Sequence, residues 1–137
     1  AAELGQSERA EALIAAMPAP APQTRRAALY VTPGGVSAGK GTMIDAIMER
    51  AGLANANPRE GWTDLPLEQL VLAPPSLMLT AFFGFDDDAT DRWSVSRHPV
   101  MQRMMAGAQV IEMDESRVSC PAWLVADEAQ AIAQALK

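Results

Sequence analysis

The residues with the clearest capacity for chemistry lie in the glycine-rich stretch 34–42, which reads GGVSAGKGT. It follows a short apolar segment at 27–32 and leads into a segment with helical periodicity that runs to Gly52. A turn between a strand and a helix presents backbone N–H groups at the positive end of the helix dipole, where an anion or a polar ligand edge can bind. The pattern leaves three interpretations open: a nucleotide site, a site for another ligand, or a turn without a ligand.

Residues 39–42, which read GKGT, resemble the end of the phosphate-binding loop of adenylate-kinase-like nucleoside monophosphate kinases. Two residues depart from that pattern, because Pro33 lacks an N–H group and Ser37 stands where those kinases carry glycine. No lid segment and no second metal-binding carboxylate strand is recognisable downstream, and phosphoryl transfer depends on such positioning and cationic groups. A P-loop phosphotransferase is therefore the alternative function, and a glycine-rich turn before a helix is the simpler interpretation.

The sequence contains no recognisable catalytic or metal-binding constellation. His98 is the single histidine and Cys120 is the single cysteine, which leaves too few soft ligands for a structural zinc site. There is no Ser-His-Asp candidate beyond His98, and no pair of carboxylates stands in an apolar setting. We therefore expect a protein that is not an enzyme and that carries no cofactor or metal centre of its own.

The composition is that of a globular domain, with 137 residues of which 49% are hydrophobic. Acidic residues outnumber basic residues by 17 to 11, which gives a net charge of −6. This balance argues against a nucleic-acid surface, since such a surface needs clustered Lys and Arg. No apolar run approaches the roughly 18 residues that a membrane span requires. We expect one domain that does not bind nucleic acid.

Hydrophobic periodicity predicts one helix followed by alternating strands and helices. The predicted strands are 27–32, 76–82 and 109–113, and the predicted helices are 1–17, 37–52, 65–72, 98–105 and 123–136. The proline-rich segment 18–22 separates the first helix from the rest, so that 1–22 is a helix with a stiff linker and 23–137 is an α/β domain. The alternation predicts an α/β layer sandwich around a mostly parallel sheet of three or more strands.

Ligands of such sheets bind at the carboxyl ends of the strands. The loops that the prediction brings to this edge are 33–39, 83–97 and 114–121. The residues that we expect to contact a ligand are Gly35, Val36 and Ser37 in the first loop, Phe83, Phe85 and Arg92 in the second, Arg117 in the third, and Trp62, which lies in a separate polar loop that can reach the same edge.

The types of these side chains indicate what the ligand would be. Trp62, Phe83 and Phe85 suit a large planar ligand, because such ligands favour aromatic walls. Packing in the core or over its edge is the alternative role for these rings. Arg92 and Arg117 can meet the carboxylate or catecholate oxygens of a ligand, and their alternative role is that of ordinary surface charges.

The order of several short segments resembles that of a known family. The segments are RAEALI at 9–14, the strand, turn and helix at 27–52, Trp62 followed by LPLEQL at 65–70 and APP at 73–75, HPVMQ at 98–102, VIEM at 110–113 and SCP at 119–121. Together they resemble the C-terminal lobe of a periplasmic substrate-binding protein of an ABC importer, of the helical-backbone type that carries ferric siderophores, haem or cobalamin. The first segment resembles the end of the long helix that joins the two lobes.

The resemblance implies a three-layer αβα lobe that faces an N-terminal lobe absent from this chain. A metal chelate, haem or a corrinoid would bind in the cleft between the lobes. The resemblance also implies a protein that is periplasmic, or lipid-anchored at the outer face of the cytoplasmic membrane. Such a protein delivers its ligand to the transmembrane subunits of an ABC permease.

Two residue roles follow from the resemblance. Trp62 would contact the ligand, and Glu68 would dock onto an arginine of the permease. From the residues alone, Glu68 is also interpretable as a solvated carboxylate near the positive end of a helix dipole. The proline-rich linker departs from the longer helix of the family, which leaves the relative placement of the two lobes open.

Overall fold

The computed structural model describes residues 5–24, 26–65, 67–82, 94–120 and 122–137. Its strands are β1 (Ala27–Val31), β2 (Val36–Ala38), β3 (Ala54–Asn55), β4 (Trp62–Asp64), β5 (Leu77–Thr80) and β6 (Gln109–Glu112). Four strands form a parallel sheet in the order β3-β1-β5-β6, whereas β2 and β4 pair with each other in the antiparallel sense. The parallel sheet predicted from the alternation of elements is thereby confirmed.

The helices of the described residues are α1 (Ser7–Ala16), α2 (Met43–Arg50), α3 (Leu67–Leu72), α4 (Pro99–Gly107), α5 (Glu115–Val118) and α6 (Leu124–Ala135), with a short 3₁₀ helix at Val95–Arg97. Side chains fix where two of them begin. Thr42 caps α2 by accepting the Asp45 N–H at 3.2 Å, and His98 caps α4 by accepting the Val100 N–H at 3.2 Å. Within the described residues, no helix is long and apolar enough to cross a membrane.

The side chains of the sheet alternate between two apolar layers, as the period of two along a strand requires. Ala28 and Tyr30 of β1 pack with α2 and α6 on one face, and Leu29 and Val31 pack with α4 on the other. Each fully buried side chain of the size of leucine stabilises the fold by about 2 kcal/mol, so the sheet is held from both sides. The structure confirms the three-layer αβα sandwich.

Several short elements differ from the prediction. The strands β2, β3 and β4 lie in stretches predicted as loop or helix, because two or three residues are too few to show a period. The helix predicted from residue 37 begins at Met43, and α5 lies within the loop predicted at 114–121. The strand predicted at 76–82 ends at Thr80, and Phe82 then adopts a φ of 68°, which is rare for a bulky residue.

The proline-rich segment is not a free linker, because it lies against the end of α2. The Ala21 N–H donates to the Arg50 carbonyl at 2.8 Å, and the Thr24 N–H donates to the Gly52 carbonyl at 2.8 Å. The Arg50 guanidinium in turn donates to the Pro18 carbonyl. The segment is therefore docked on the domain, and the division of the chain at residue 22 stays a prediction.

The helix α1, in contrast, has no buried residue. Its apolar side chains Leu13 and Ile14 are 43% and 65% exposed. A helix of this length is not stable in water by itself. It would be stabilised if its apolar face packed against another surface.

Replacing Gly52 with alanine tests the docking of the proline-rich segment. Gly52 has a φ of +80°, and a Cβ at this position would lie 2.2 Å from the Pro22 carbonyl oxygen. We expect Gly52→Ala to lower the free energy of unfolding by about 1–3 kcal/mol, because the variant must bear backbone strain and displace the segment. Urea denaturation measures the change.

Gly34→Ala is the matched control, since a Cβ at Gly34 meets no atom within 4 Å and its φ is outside the left-handed range. Its free energy of unfolding should stay within about 0.5 kcal/mol of the wild-type value. Equal stabilities of the two variants would contradict the docked arrangement.

Candidate ligand-binding edge

The carboxyl ends of β1, β5 and β6 meet at one edge of the sheet, because parallel strands all point the same way. The Met113 N–H donates to the Thr80 carbonyl at 2.8 Å and so joins the ends of β5 and β6. We call this side of the molecule the ligand edge. It comprises the described residues 32–39, 62–65, 81–82 and 113–118.

The turn after β1 is closed by its own hydrogen bonds. The Thr32 Oγ1 accepts the Val36 N–H at 3.1 Å, and the Gly35 N–H donates to the Thr32 carbonyl at 2.9 Å. Gly35 has a φ of +80°, and a Cβ there would lie 2.4 Å from Cγ2 of Val95. The Ser94 hydroxyl donates to the Pro33 carbonyl at 2.7 Å. The turn and the 3₁₀ helix therefore form one packed unit at the ligand edge.

The backbone N–H groups that would bind a phosphate are already occupied. The Gly39 N–H donates to the Gly61 carbonyl at 2.8 Å, and the Lys40 N–H donates to the Arg59 carbonyl at 2.7 Å. The Gly41 N–H donates to the Asp45 carboxylate at 3.0 Å. An acidic side chain thus stands at the start of α2, where a nucleotide phosphate would have to bind. This geometry favours the interpretation of residues 34–42 as a structural turn.

The antiparallel pair of β2 and β4 lies against β1 through β2. In its register Ala38 lies opposite Trp62, and Val36 lies opposite Asp64. Trp62 is 56% exposed, and the centre of its ring lies 5.9 Å from that of the buried Tyr30 in an edge-to-face arrangement. The pair therefore brings Trp62 to the same edge as Gly35 and Val36, although the sequence predicts a loop at Trp62.

Ser37 lies on the inner side of β2. Its side chain is fully buried, and its hydroxyl oxygen has no hydrogen-bond partner within the described part of the chain. The neighbouring Val36 is half-buried. In this conformation the Ser37 side chain points into the interior, away from a ligand at the edge. Contact between this side chain and a ligand therefore requires a rearrangement.

A polar network that the sequence does not reveal holds β4 in place. Asn55 donates to the Ala38 carbonyl at 3.1 Å and to the Asp45 carboxylate at 2.9 Å. The buried Asn57 donates to the Thr63 hydroxyl at 2.8 Å. The cluster of Asn, Pro and Gly at 55–61 was the available signal for this network, since such residues favour turns with side-chain hydrogen bonds.

Arg117 lies at the ligand edge but is engaged by two carboxylates. Its Nε is 3.3 Å from Asp114 Oδ2, and its Nη1 is 3.5 Å from Glu128 Oε2. Glu128, which lies in α6, is almost fully buried and also accepts the Asp114 N–H at 3.1 Å. Arg117 is therefore an ion-pair partner within the structure, and a ligand would have to share it.

Burial and hydrogen bonds shift the pKa values of these acidic groups in opposite directions. Burial raises the pKa of Glu128, and the Asp114 N–H and Arg117 oppose that shift only in part. Hydrogen bonds from Ser116 lower the pKa of the Asp114 carboxyl. Burial, with a smaller effect from the Glu115 carboxylate, raises the pKa of the Tyr30 phenol to about 12, so this phenol stays protonated at neutral pH.

Glu68 is exposed in the first turn of α3. The Leu65 N–H donates to the Gly35 carbonyl at 2.9 Å, which holds the start of this helix beside the ligand edge. The far end of α3 borders a groove of about 480 Å³ that it forms with α4, near Pro75 and Gly107. Glu68 is thus an exposed carboxylate near the start of α3, and its docking role stays a prediction.

Three of the predicted ligand-binding residues, Phe83, Phe85 and Arg92, lie outside the described residues. Of the others, Val36 and Trp62 lie on the same face of the β2–β4 pair, because each is opposite a residue two positions from the other, and Gly35 lies next to Leu65 at the end of that pair. Arg117 lies at the end of β6, in α5. Their contacts with a ligand stay predictions.

Solved structures with this fold are found among periplasmic binding proteins. The periplasmic heme-binding protein HutB of Vibrio cholerae is 20% identical, and the match covers 95% of this chain and 52% of HutB with a TM-score of 0.61. A periplasmic solute-binding protein from Veillonella parvula is 18% identical over 96% of this chain and 45% of its own, with a TM-score of 0.64. A protein of the ABC-type Fe³⁺-hydroxamate transport system from Saccharomonospora viridis is 21% identical over 82% and 41%, with a TM-score of 0.57.

These matches establish that the chain has the fold of one lobe of a periplasmic binding protein. The chain spans about half the length of these solved structures. No protein-family model matches the sequence, and neither does any curated protein. At identities near 20% the likeness defines the fold and leaves the ligand to be proposed.

The buried carboxyl of Glu128 should make stability depend on pH. Its pKa is raised above the ordinary value of 4.5, so the folded protein binds this proton more tightly than the unfolded chain does. The contribution of Glu128 to stability is therefore fully present below that value and is lost as the pH rises through the folded pKa. We expect the wild-type protein to lose stability relative to Glu128→Gln as the pH increases from about 4 to 7, as measured by urea denaturation.

Glu112→Gln is the control, because it removes an exposed carboxylate from the end of β6. Its stability relative to the wild-type protein should change little over the same interval. A pH-independent difference between wild-type protein and Glu128→Gln would show that the buried carboxyl titrates normally.

Proposed function

We propose that this chain is one lobe of the solute-binding component of an ABC import system. The ligand edge forms half of a cleft that a second lobe completes. The observation that carries the proposal is the exposed Trp62, which the pairing of β4 with β2 holds next to the turn region after β1 in a parallel sheet, in a fold that periplasmic binding proteins share over nearly the whole chain. The protein binds and delivers a ligand and is not an enzyme.

The lobe is the C-terminal one, and its partner is the N-terminal lobe of the same protein. The docked segment 18–24 leads from α1 into β1, and α1 carries Leu13 and Ile14 on its exposed side. In a two-lobed protein this helix runs between the lobes, where its apolar face finds a partner. The protein works in the periplasm or is lipid-anchored at the outer face of the cytoplasmic membrane. The support for this location is that HutB and the Veillonella parvula protein are periplasmic.

The ligand is a metal chelate, haem or a corrinoid. HutB is described as heme-binding, and the Saccharomonospora viridis protein belongs to an Fe³⁺-hydroxamate transport system. The described residues proposed for this lobe's side of the cleft are Gly35, Val36, Trp62 and Arg117, and Phe83, Phe85 and Arg92 are added from the sequence prediction. Ser37 would join them only after a rearrangement, because its side chain is buried. The aromatic rings pack on the ligand's apolar faces, and the two arginines meet its oxygen atoms.

A P-loop phosphotransferase is the less favoured function. The N–H groups of Gly39, Lys40 and Gly41 all have partners in the protein, and the Asp45 carboxylate repels a phosphate at the start of α2. No specific contact in the described residues favours a nucleotide over a chelate.

Removing the exposed ring at position 62 tests the ligand edge. In the full two-lobed protein, Trp62→Ala should weaken binding of hemin or a ferric trihydroxamate about 10-fold or more, because a buried aromatic contact contributes about 1–3 kcal/mol. Isothermal titration calorimetry measures the affinity without relying on tryptophan fluorescence.

Leu72→Ala is the control for this measurement. Leu72 is 86% exposed at the far end of α3, close to the start of β5. Its removal should leave the affinity unchanged. Equal losses in both variants, or full affinity in Trp62→Ala, would exclude Trp62 as a ligand contact.

Glu68 is the proposed docking residue for the permease. Charge reversal in Glu68→Arg should reduce ligand uptake about 10-fold or more in cells that depend on this protein, while the affinity for the ligand stays the same. The two effects are expected to separate because Glu68 is exposed and is not among the proposed ligand contacts.

The control for the docking test is Glu8→Arg, which reverses an exposed charge on α1. Uptake should be unaffected by this change. Normal uptake with Glu68→Arg would contradict the proposed docking role of Glu68.

A further inference from the structure

Glu128 is a charged residue inside the protein, with only 2% of its surface exposed. A buried carboxylate is costly unless hydrogen bonds and an opposite charge compensate it. Here one oxygen accepts the Asp114 N–H at 3.1 Å, and the other lies 3.5 Å from Arg117 Nη1. Both partners belong to the ligand edge, whereas Glu128 reaches them from α6.

The contact with Asp114 holds the beginning of α5. Asp114 caps this helix, and its carboxylate accepts the Ser116 N–H at 2.9 Å. Its own N–H points back to Glu128. A helix of four residues is not stable by itself, so the position of α5 depends on this contact and on the buried side chain of Val118.

Arg117 is shared between two carboxylates with different exposure. The Asp114 side chain is 44% exposed, whereas that of Glu128 is 3% exposed. Water and salt screen a buried partner less than an exposed one, so the attraction between Arg117 and Glu128 is screened less than that between Arg117 and Asp114. An anionic ligand at this edge therefore competes with Glu128 for Arg117.

We propose that Glu128 is a positioning residue of the ligand edge, which fixes α5 through the Asp114 N–H and sets how strongly Arg117 attracts an anionic ligand. This inference rests on the proposed binding function and adds the residue that tunes its preference for ligand charge. With Glu128 in place, the charge of Arg117 is already balanced, so the edge favours a neutral chelate over one that presents free carboxylates.

The first test uses Glu128→Gln in the full two-lobed protein, because glutamine keeps the shape and the acceptor oxygen but removes the charge. The probes are hemin, which carries two carboxylates, and a neutral ferric trihydroxamate. We expect the affinity for hemin to rise about 3- to 10-fold while that for the trihydroxamate is unchanged. The gain should vanish when Glu128→Gln is combined with Arg117→Gln.

Glu112→Gln removes an exposed carboxylate from the end of β6, next to the ligand edge, and controls for net charge. It should change neither affinity by more than about 2-fold. The proposal is overturned if Glu128→Gln alters both affinities equally, which would indicate a general structural effect, or if it leaves the hemin affinity unchanged.

A second measurement needs no ligand and separates this inference from the proposed function. In hydrogen exchange followed by mass spectrometry, Glu128→Ala should speed exchange of the amides at 114–118 about 10-fold or more, whereas Glu128→Gln should exchange like the wild-type protein. Unchanged exchange in Glu128→Ala overturns the positioning role. If the wild-type protein binds neither probe, the proposed ligand classes fail, and the exchange rates still decide the role of Glu128.

Discussion

The parallel pairing of β1 with β5 is the constraint on which the rest of the structure depends. The paired residues are Leu29 with Met78, Tyr30 with Leu79 and Val31 with Thr80, and all six are buried. Because successive side chains face opposite layers, a slip of one residue would place Tyr30 among α4 residues and Leu29 against α2. The packing of both layers therefore fixes the register, and the register fixes which loops meet at the ligand edge.

A second consequence concerns the backbone N–H groups before α2, which already have hydrogen-bond partners within the protein. The N–H groups between β2 and α2 bind carbonyls of the segment 59–61, and Asp45 neutralises the start of the helix. These bonds hold β4 against β2 and so keep Trp62 at the surface. The same hydrogen bonds that exclude a phosphate from the turn therefore support the ring that is proposed to contact the ligand.

The layers and the main strands were predictable because they leave local patterns. The apolar runs at β1 and β5 and the helical period of α2 are visible in single stretches of sequence. The exposure of Trp62 was predictable only in part. Its place in β4 depends on pairing with β2, which lies more distant in the sequence. The ion pair of Arg117 with Glu128 joins α5 to α6, and no local sequence pattern indicates that these two residues are partners. The burial of Ser37 was not predictable either, because it results from the strand β2, which is too short to show a period in the sequence.

The docking of the segment 18–24 on the end of α2 has a mechanical consequence. This attachment lies beside Gly52, near the starts of β1 and β3, whereas the ligand edge lies at the opposite ends of the strands. The eight residues of α2 separate the two by about 12 Å. If a second body attached through this segment rotated about it by about 10°, the ligand edge would move by about 2 Å relative to that body.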